Sequence, residues 1–306
     1  MLNALIRAHP QARLGVTSIG LDGEELDAVS RLPKPRVFLP GGSLLATAEE
    51  CLARTEAQIR VAARTGIRTG LGEILVATVT RPGNCLLGGP STVSGMAAVR
   101  DSLLRLGADK MFIDGAFSRQ SHAAAAQAMV YVVGAHASPF QSRVVASAGL
   151  ALRRFALPGV PDAWQALLSH SNPGWLDGQG RYTALASATA LGKPAALLDA
   201  VPAKACWLYL PGAVDTALAD ALVARRREQA FGLIVQSALS LVLTDAALSG
   251  LFRLGRDIRV LRPLTLAFVA LNPFSPAGHQ FDSLAFKQAM RGVTDLPLIN
   301  VAEDAS

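Results

Sequence analysis

Short apolar runs closed by glycine alternate along this chain with longer stretches in which apolar residues recur at helical spacing. "LGVTSIG" (14–20), "RVFLPGG" (36–42), "EILVATV" (73–79), "CLLGG" (85–89) and "KMFIDG" (110–115) read as short buried strands. Apolar runs of this length bounded by turn residues suit strands covered on both faces. Between them, Thr47 to Thr65 and Ser94 to Leu106 carry amphipathic or alanine-rich patterns that predict helices. Strand, glycine turn and helix in repeated order predict an α/β fold with a largely parallel sheet and flanking helices.

After Ser121 the pattern turns helical, with "HAAAAQAM" and then "SRVVASAGLALRRF". Residues 157–182 are broken by Pro158, Pro161, Pro173 and four glycines, as a link between lobes would be. The strand–helix order then resumes: "CWLYLPG", a helix from Asp215, "GLIVQS", a helix near Thr244–Leu254 ended by Gly255, "DIRVLRP", "TLAFVAL", the helix Ser283–Arg291 and "LPLINV". The expectation is two α/β halves joined by a helical segment. An N-terminal domain, 1–148, bears acidic and Gly/Ser-rich strand-end loops, and 149–306 holds the helical linker and a C-terminal α/β domain. A faint echo between "SIGLDGEELDAV" and "YLPGAVDTALADAL" agrees, although any βα unit repeats this grammar.

Half of the 306 residues are apolar (51%) and only 17% are charged, so the chain folds around a large core and has apolar surface to hide. "FGLIVQSALSLVLTDAALSGLF", from Phe231, is interrupted by Gln236, Ser237, Ser240, Thr244 and Asp245. It lacks the unbroken run of about 18 to 20 apolar residues that a membrane span needs, and reads as buried core. No secretory cleavage region follows the first residues, so the cytoplasm is the default. Cys51, Cys85 and Cys206 show no disulfide or metal spacing and read as buried free thiols. The net charge of +6 is scattered, and its densest run, Arg225–Arg227, ends a helix, where the dipole favours cations. Without an aromatic stripe beside it, that charge does not point to nucleic acid.

Three stretches carry candidate chemistry. "GGPSTVSG", Gly88 to Gly95, follows a strand and opens a helix. Gly88 and Gly89 allow close backbone approach, Ser91, Thr92 and Ser94 offer hydroxyls beside helix amides, and Gly95 belongs to the same candidate anion site. Phosphate or carboxylate binding and an ordinary turn with Thr92 or Ser94 as N-cap both fit. "IGLDGEELD" supplies Asp22, Glu24, Glu25 and Asp27, of which Asp22 and Glu24 are the site candidates. The other two suit a first helical turn. Asp114 closes "KMFID" and is followed by Gly115. If Asp22, Glu24 and Asp114 meet at one strand-end rim, their oxygens could hold Mg²⁺ bridging to phosphate. Arg119 could contact the anion; alternatively Asp114 pairs with Arg119 or Lys110.

"NPFSPAGHQFD" (272–282) has polar tips in His279 and Asp282, but no G-x-S-x-G serine accompanies them, and a packed loop is the simpler reading. His9, His122, His136 and His170 show no ligand spacing, and Asp215 suits an N-cap. "MLNALIRAHP" reads as a helix ahead of the first clear strand, and nothing matches G-x-x-x-x-G-K-[ST]. The usual device for holding a nucleotide unaided is therefore missing.

The ordered set "TSIGLDGEELD", "LPKPRVFLPGGSLLATAEECL", "EILVATV", "LLGGPST", "LGADKMFIDGAFSR", "LPGAVDTAL" and "NPFSPAGHQFD" resembles the non-ATPase subunit of the reactivase of adenosylcobalamin-dependent lysine 5,6-aminomutase. The likeness runs over most of the chain and is weakest from Pro158 to Lys204. It implies an accessory protein of lysine degradation. Such a protein works with an ATPase partner related to mismatch-repair ATPases and restores an aminomutase whose cobalamin is damaged, with Mg and ATP entering through the partner. It implies no catalytic residue and no cobalamin bound by this chain, which lacks D-x-H-x-x-G. "LPGAVDTAL" departs from the threonine-containing form of the family, which leaves an anion-binding role for that loop open. A homo-oligomer is compatible with the apolar composition. A free-standing Mg-dependent α/β enzyme on a small phosphorylated or carboxylated substrate, and a ligand-free scaffold, remain alternatives.

Overall fold

The computed structural model describes residues 11–20, 37–115, 126–186, 192–225 and 231–300. The chain divides into two compact units between Gln127 and Ala128. The expected boundary at 148/149 instead falls inside one helix, Gln141–Phe155. Val144, Ala148 and Leu152, one turn apart, bury that helix against Val133, which precedes it, and against Val269 and Leu271 from far along the chain. A boundary there would split a core.

The first unit is built on a five-stranded sheet of β1 (Leu14–Ser18), β3 (Leu44–Ala48), β4 (Gln58–Thr69), β5 (Gly72–Arg81) and β7 (Lys110–Asp114), in the order β4-β5-β3-β1-β7. The trio β3-β1-β7 is parallel, whereas β5 runs antiparallel to both β3 and β4. Beside it, β2 (Val37–Leu39) pairs antiparallel with β6 (Gly83–Cys85). Leu14, Val16 and Leu45 face one core, while Leu44, Ala46 and Val76 face another with Val99 and Leu103 of α2 (Val93–Arg105).

The expected helix Thr47–Thr65 is not there. Thr47 and Ala48 end β3, α1 covers only Glu49–Ala53, and the chain then extends along the edge strand β4. Ile59, Ala63, Thr65, Ile67 and Thr69 are half-buried while Arg60, Arg64 and Arg68 are exposed, close to the period of two that a one-sided strand requires. Alanine and arginine are good helix formers, but the two-residue connection Gly70–Leu71 turns this segment back onto β5, and pairing overrides propensity.

The second unit holds a sheet of order β10-β9-β11-β13-β15, formed by β9 (Gly174–Leu176), β10 (Tyr182–Ala184), β11 (Trp207–Leu210), β13 (Gly232–Val235) and β15 (Ile258–Val260). Here too a parallel trio, β11-β13-β15, is extended by antiparallel strands. Its helices, α4 (Pro194–Asp199), α5 (Thr216–Ala224) and α6 (Asp245–Arg253), contribute Leu197, Leu218 and Leu251 to one core. Short strands β12 (Val214–Asp215) and β14 (Leu241–Val242) pair in parallel. A third sheet, order β17-β16-β8, consists of β8 (Met129–Gly134), β16 (Leu266–Asn272) and β17 (Leu298–Asn300), all parallel. It carries α3 (Gln141–Phe155) and α7 (Ser283–Arg291). The protein is thus mixed α/β with several sheets. The expectation of a largely parallel sheet is corrected, because both larger sheets combine parallel and antiparallel pairs.

Several local expectations agree with the structure. Asp215 caps α5 by accepting from the Leu218 amide at 2.9 Å, as expected; Thr244 and Asp282, which the residues alone did not mark as caps, act on α6 and α7 in the same way. His279 Nε2 meets the Ala135 carbonyl oxygen at 2.8 Å, which packs the 272–282 loop. Arg225, just past α5, forms a 2.6 Å ion pair with Asp199. Among the described residues no helix is long and apolar enough to cross a membrane. Cys51 and Cys85 are buried, and burial pushes the Cys85 thiol up to about 11. Cys206 is exposed, against expectation, in the segment that leads from "PAKA" into β11.

Candidate functional site

The C-terminal ends of β3, β1 and β7 form one rim of the first unit, since these strands run side by side in the same direction. Open α/β sheets place ligands at such rims. Here the segment Gly88–Pro90 is strapped across the strand ends. The Gly88 N–H donates to Thr47 Oγ1 at 2.7 Å, and the Ala48 N–H donates to the Gly88 carbonyl at 2.8 Å, which fastens the strap to β3. The Thr47 hydroxyl lies within reach of two carbonyls, Leu86 at 3.2 Å and Gly88 at 3.3 Å. On β1, the Gly89 N–H donates to Ser18 Oγ at 3.0 Å and reaches the Gly20 carbonyl at 3.2 Å, while the Gly20 N–H donates to the Pro90 carbonyl at 2.9 Å. A Cβ on Gly89 would lie 1.7 Å from the Ser18 carbonyl oxygen, so only glycine lets the strap close on the strand.

This geometry divides the roles of the 88–95 residues. The amides of Gly88 and Gly89 are used to hold the strap and do not face an anion. Gly95 is buried, and its N–H donates to Thr92 Oγ1 at 3.1 Å. A Cβ there would meet Thr92 Oγ1 at 2.9 Å and Pro90 Cβ at 3.0 Å. Thr92 is therefore the N-cap of α2, and Gly95 lets the first turn close on the strap. What remains open to solvent is Ser91, Thr92, Val93 and Ser94, together with first-turn amides that have no intrahelical acceptor.

Asp114 ends β7 opposite Ser18, and its carbonyl accepts from the Ile19 N–H at 2.7 Å. Its side chain is exposed at the same rim. Pairing with Lys110 is excluded by distance, because four residues of extended strand separate the two by about 13 Å. Asp22, Glu24 and Arg119 lie outside the described residues, as do Glu25 and Asp27. Among the described residues no group of three or more His, Cys, Asp or Glu side chains could hold a metal, and Asp114 supplies a single carboxylate. The Mg-binding reading therefore depends on Asp22 and Glu24, and the described part of the rim does not fit the ion by itself.

Sequence reasoning missed Thr17, Ser18 and Thr47, all buried. Hydroxyls within otherwise apolar strands, in "LGVTS" and "LLATA", were the available signal. Two of them tie the strap. Thr17 differs: it is fully buried, and its Oγ1 has no hydrogen-bond partner among the described residues.

The fold and rim define a mixed α/β protein with a strapped strand-end surface in its first unit. Comparison with family models, with curated proteins and with solved structures returns no match for this chain.

Proposed function

We propose that this chain is an accessory, reactivating subunit for a cobalamin-dependent aminomutase, acting with an ATPase partner in the cytoplasm. One observation carries the reading. Segments quoted for the family resemblance, "TSIG", "LLATAEE", "LLGGPST" and "KMFIDG", are remote in sequence yet interlock at a single rim through Thr47, Ser18, Gly20 and Asp114. Their hydrogen bonds are spent on each other, which suits a preformed contact surface better than a nucleotide cradle. In this reading Mg and ATP belong to the partner. Nucleotide turnover there shifts the mutase between closed and open states, and the chain contributes by contacting the two states unequally.

The test mixes an inactivated aminomutase with the ATPase, Mg-ATP and this chain. Activity is expected to return only when all are present. Reversing charge or bulk at exposed rim positions, Asp114→Lys with Ser94→Lys, is expected to reduce the recovered activity without lowering the melting temperature. Stabilisation of the isolated chain by Mg-ATP, or turnover of a small phosphorylated substrate by the chain alone, would replace the accessory role with a free-standing enzyme. Failure of the chain to co-elute with either partner would leave a scaffold.

A further inference from the structure

Among the described residues the longest strand, β4, is also a sheet edge: it spans 12 residues and pairs on one side only, with β5. The other edge strands of the three largest sheets, β7, β8, β10, β15 and β17, are all half that length or shorter. An open edge is a row of backbone donors and acceptors that another strand can meet, and proteins limit it by shortness, proline, charge or a covering segment. β4 is long and holds no proline, and no described strand lies along its outer side. Its two halves differ. Beyond Arg64 the register against β5 slips, and the Gly66 and Ile67 N–H groups donate to Glu73 Oε1 at 2.9 Å and Thr65 Oγ1 at 3.2 Å, which closes that part of the edge. From Ile59 to Arg64 the pairing skips only Ala62, and Arg60, Val61, Ala62 and Arg64 are exposed, Val61 by 50%.

Charge sets which strand fits this edge. The hairpin 58–81 carries Arg60, Arg64, Arg68 and Arg81 against a single carboxylate, Glu73. Arg64 is held between Glu73 at 2.8 Å and Glu49 at 3.3 Å. Arg60, Arg68 and Arg81 are exposed and in no ion pair among the described residues, and Arg81 stands opposite Gln58, next to the open stretch. A second copy of this edge would bring arginine to arginine, which disfavours self-pairing, whereas a strand bearing carboxylates is attracted. Arginines of one sign therefore close the edge to like strands and leave it open to acidic ones. We propose that the outer edge of β4 over 59–64 docks an acidic, extended segment of a partner protein by strand addition. Main-chain hydrogen bonds hold the added strand, and carboxylates near Arg60 and Arg81 select it.

The probe is an acetylated, amidated peptide of alternating glutamate and threonine, titrated into the full chain at low salt. It is expected to bind and to slow amide exchange in 59–64 by about tenfold or more at saturation, while the lysine–threonine counterpart does neither. Arg60→Glu combined with Arg81→Glu is expected to weaken the glutamate peptide by about tenfold or more and to admit the lysine peptide. Loss of folding cannot produce that reversal. Methylating every second backbone nitrogen of the glutamate peptide is expected to abolish binding in one register and to spare it in the other, because alternate amides of an added strand face β4. Equal binding of the two methylated forms overturns the inference, as does a glutamate peptide that leaves 59–64 unprotected. An oligothymidylate of matched charge that protects 59–64 equally well overturns it too, in favour of a plain electrostatic surface.

Discussion

The two five-stranded sheets share one plan, a parallel trio extended by antiparallel strands, yet they finish their strand ends in different ways. In the first unit, buried hydroxyls on the strands themselves lash a glycine strap over β1 and β3. In the second, loops after the strands end in N-caps at Asp215 and Thr244, and one face is packed by rings, with Trp164 against Trp207 at 5.4 Å and His170 stacked on Tyr182 at 4.1 Å. The same sheet can thus be closed by polar ties or by helix caps and aromatic packing. Only the polar closure leaves a buried hydroxyl, Thr17, without a partner among the described residues.

The aromatic asymmetry makes the comparison measurable. Trp164, Trp175 and Trp207 are the only tryptophans, and all lie in the second unit. Tryptophan fluorescence therefore follows that unit, whereas far-UV dichroism follows both. The largest effect is expected from Gly89→Ala, whose Cβ would meet backbone rather than a movable side chain. It should cost about 3–5 kcal/mol and displace a dichroism transition while the fluorescence transition stays in place. Gly174→Ala is its counterpart. The Cβ meets the Tyr182 ring at 2.1 Å and the Thr183 carbonyl at 2.7 Å, and a cost of about 2–3 kcal/mol should appear in fluorescence. Coincident shifts of both signals for either variant would show that the two units do not unfold separately.

A smaller and sharper contrast lies within the first unit. Thr47→Val removes the acceptor of the buried Gly88 N–H and should destabilise by about 1–3 kcal/mol. Thr17→Val keeps the shape and removes a buried hydroxyl that has no partner among the described residues, so denaturant midpoints should stay level or rise, by up to about 1 kcal/mol. A loss for Thr17→Val comparable to that for Thr47→Val would mean that its hydroxyl has a partner.

The smallest effects concern acid. The Gly66 N–H, with Arg64, holds the half-buried Glu73 carboxyl below its ordinary 4.5, and the Arg181 N–H and guanidinium hold Asp177 below 3.8. A depressed carboxyl contributes stability above its unfolded pKa and loses it as pH falls through the folded value. Glu73→Gln should flatten the fall in the dichroism midpoint below pH 4.5, and Asp177→Asn the fall in the fluorescence midpoint below pH 3.8. A steepened acid limb in either variant would reverse the assigned sign.

Reading from residues worked where a segment's fate is local. The runs 14–18, 73–79 and 232–235 are strands because a continuous apolar run has no polar face to leave in water. Asp215 precedes a helix because a short side-chain acceptor at that position satisfies first-turn amides, whereas the same role of Asp282 was not read from the residues, where it stood as the tip of a loop. The strand Leu44–Ala48 and the edge strand beyond it were hidden, because "LLATAEECLARTEAQIRVAART" is full of good helix formers and its strand pairing is a property of β5 and β1. For the candidate site, the glycines and hydroxyls of 88–95 were visible, but their use was not. Whether Gly89 offers its amide to an anion or to Ser18 depends on a strand 71 residues away.

The order of apolar runs and caps by itself determined that this is an α/β protein, since burial and amide satisfaction act within a few residues. Only the tertiary structure decided which strands are antiparallel, and that the conspicuous glycine loop is a fastened strap with its exposed edge at Ser91–Ser94. Sheet neighbours and hydrogen-bond partners are chosen between segments far apart in the chain, and no local pattern records that choice.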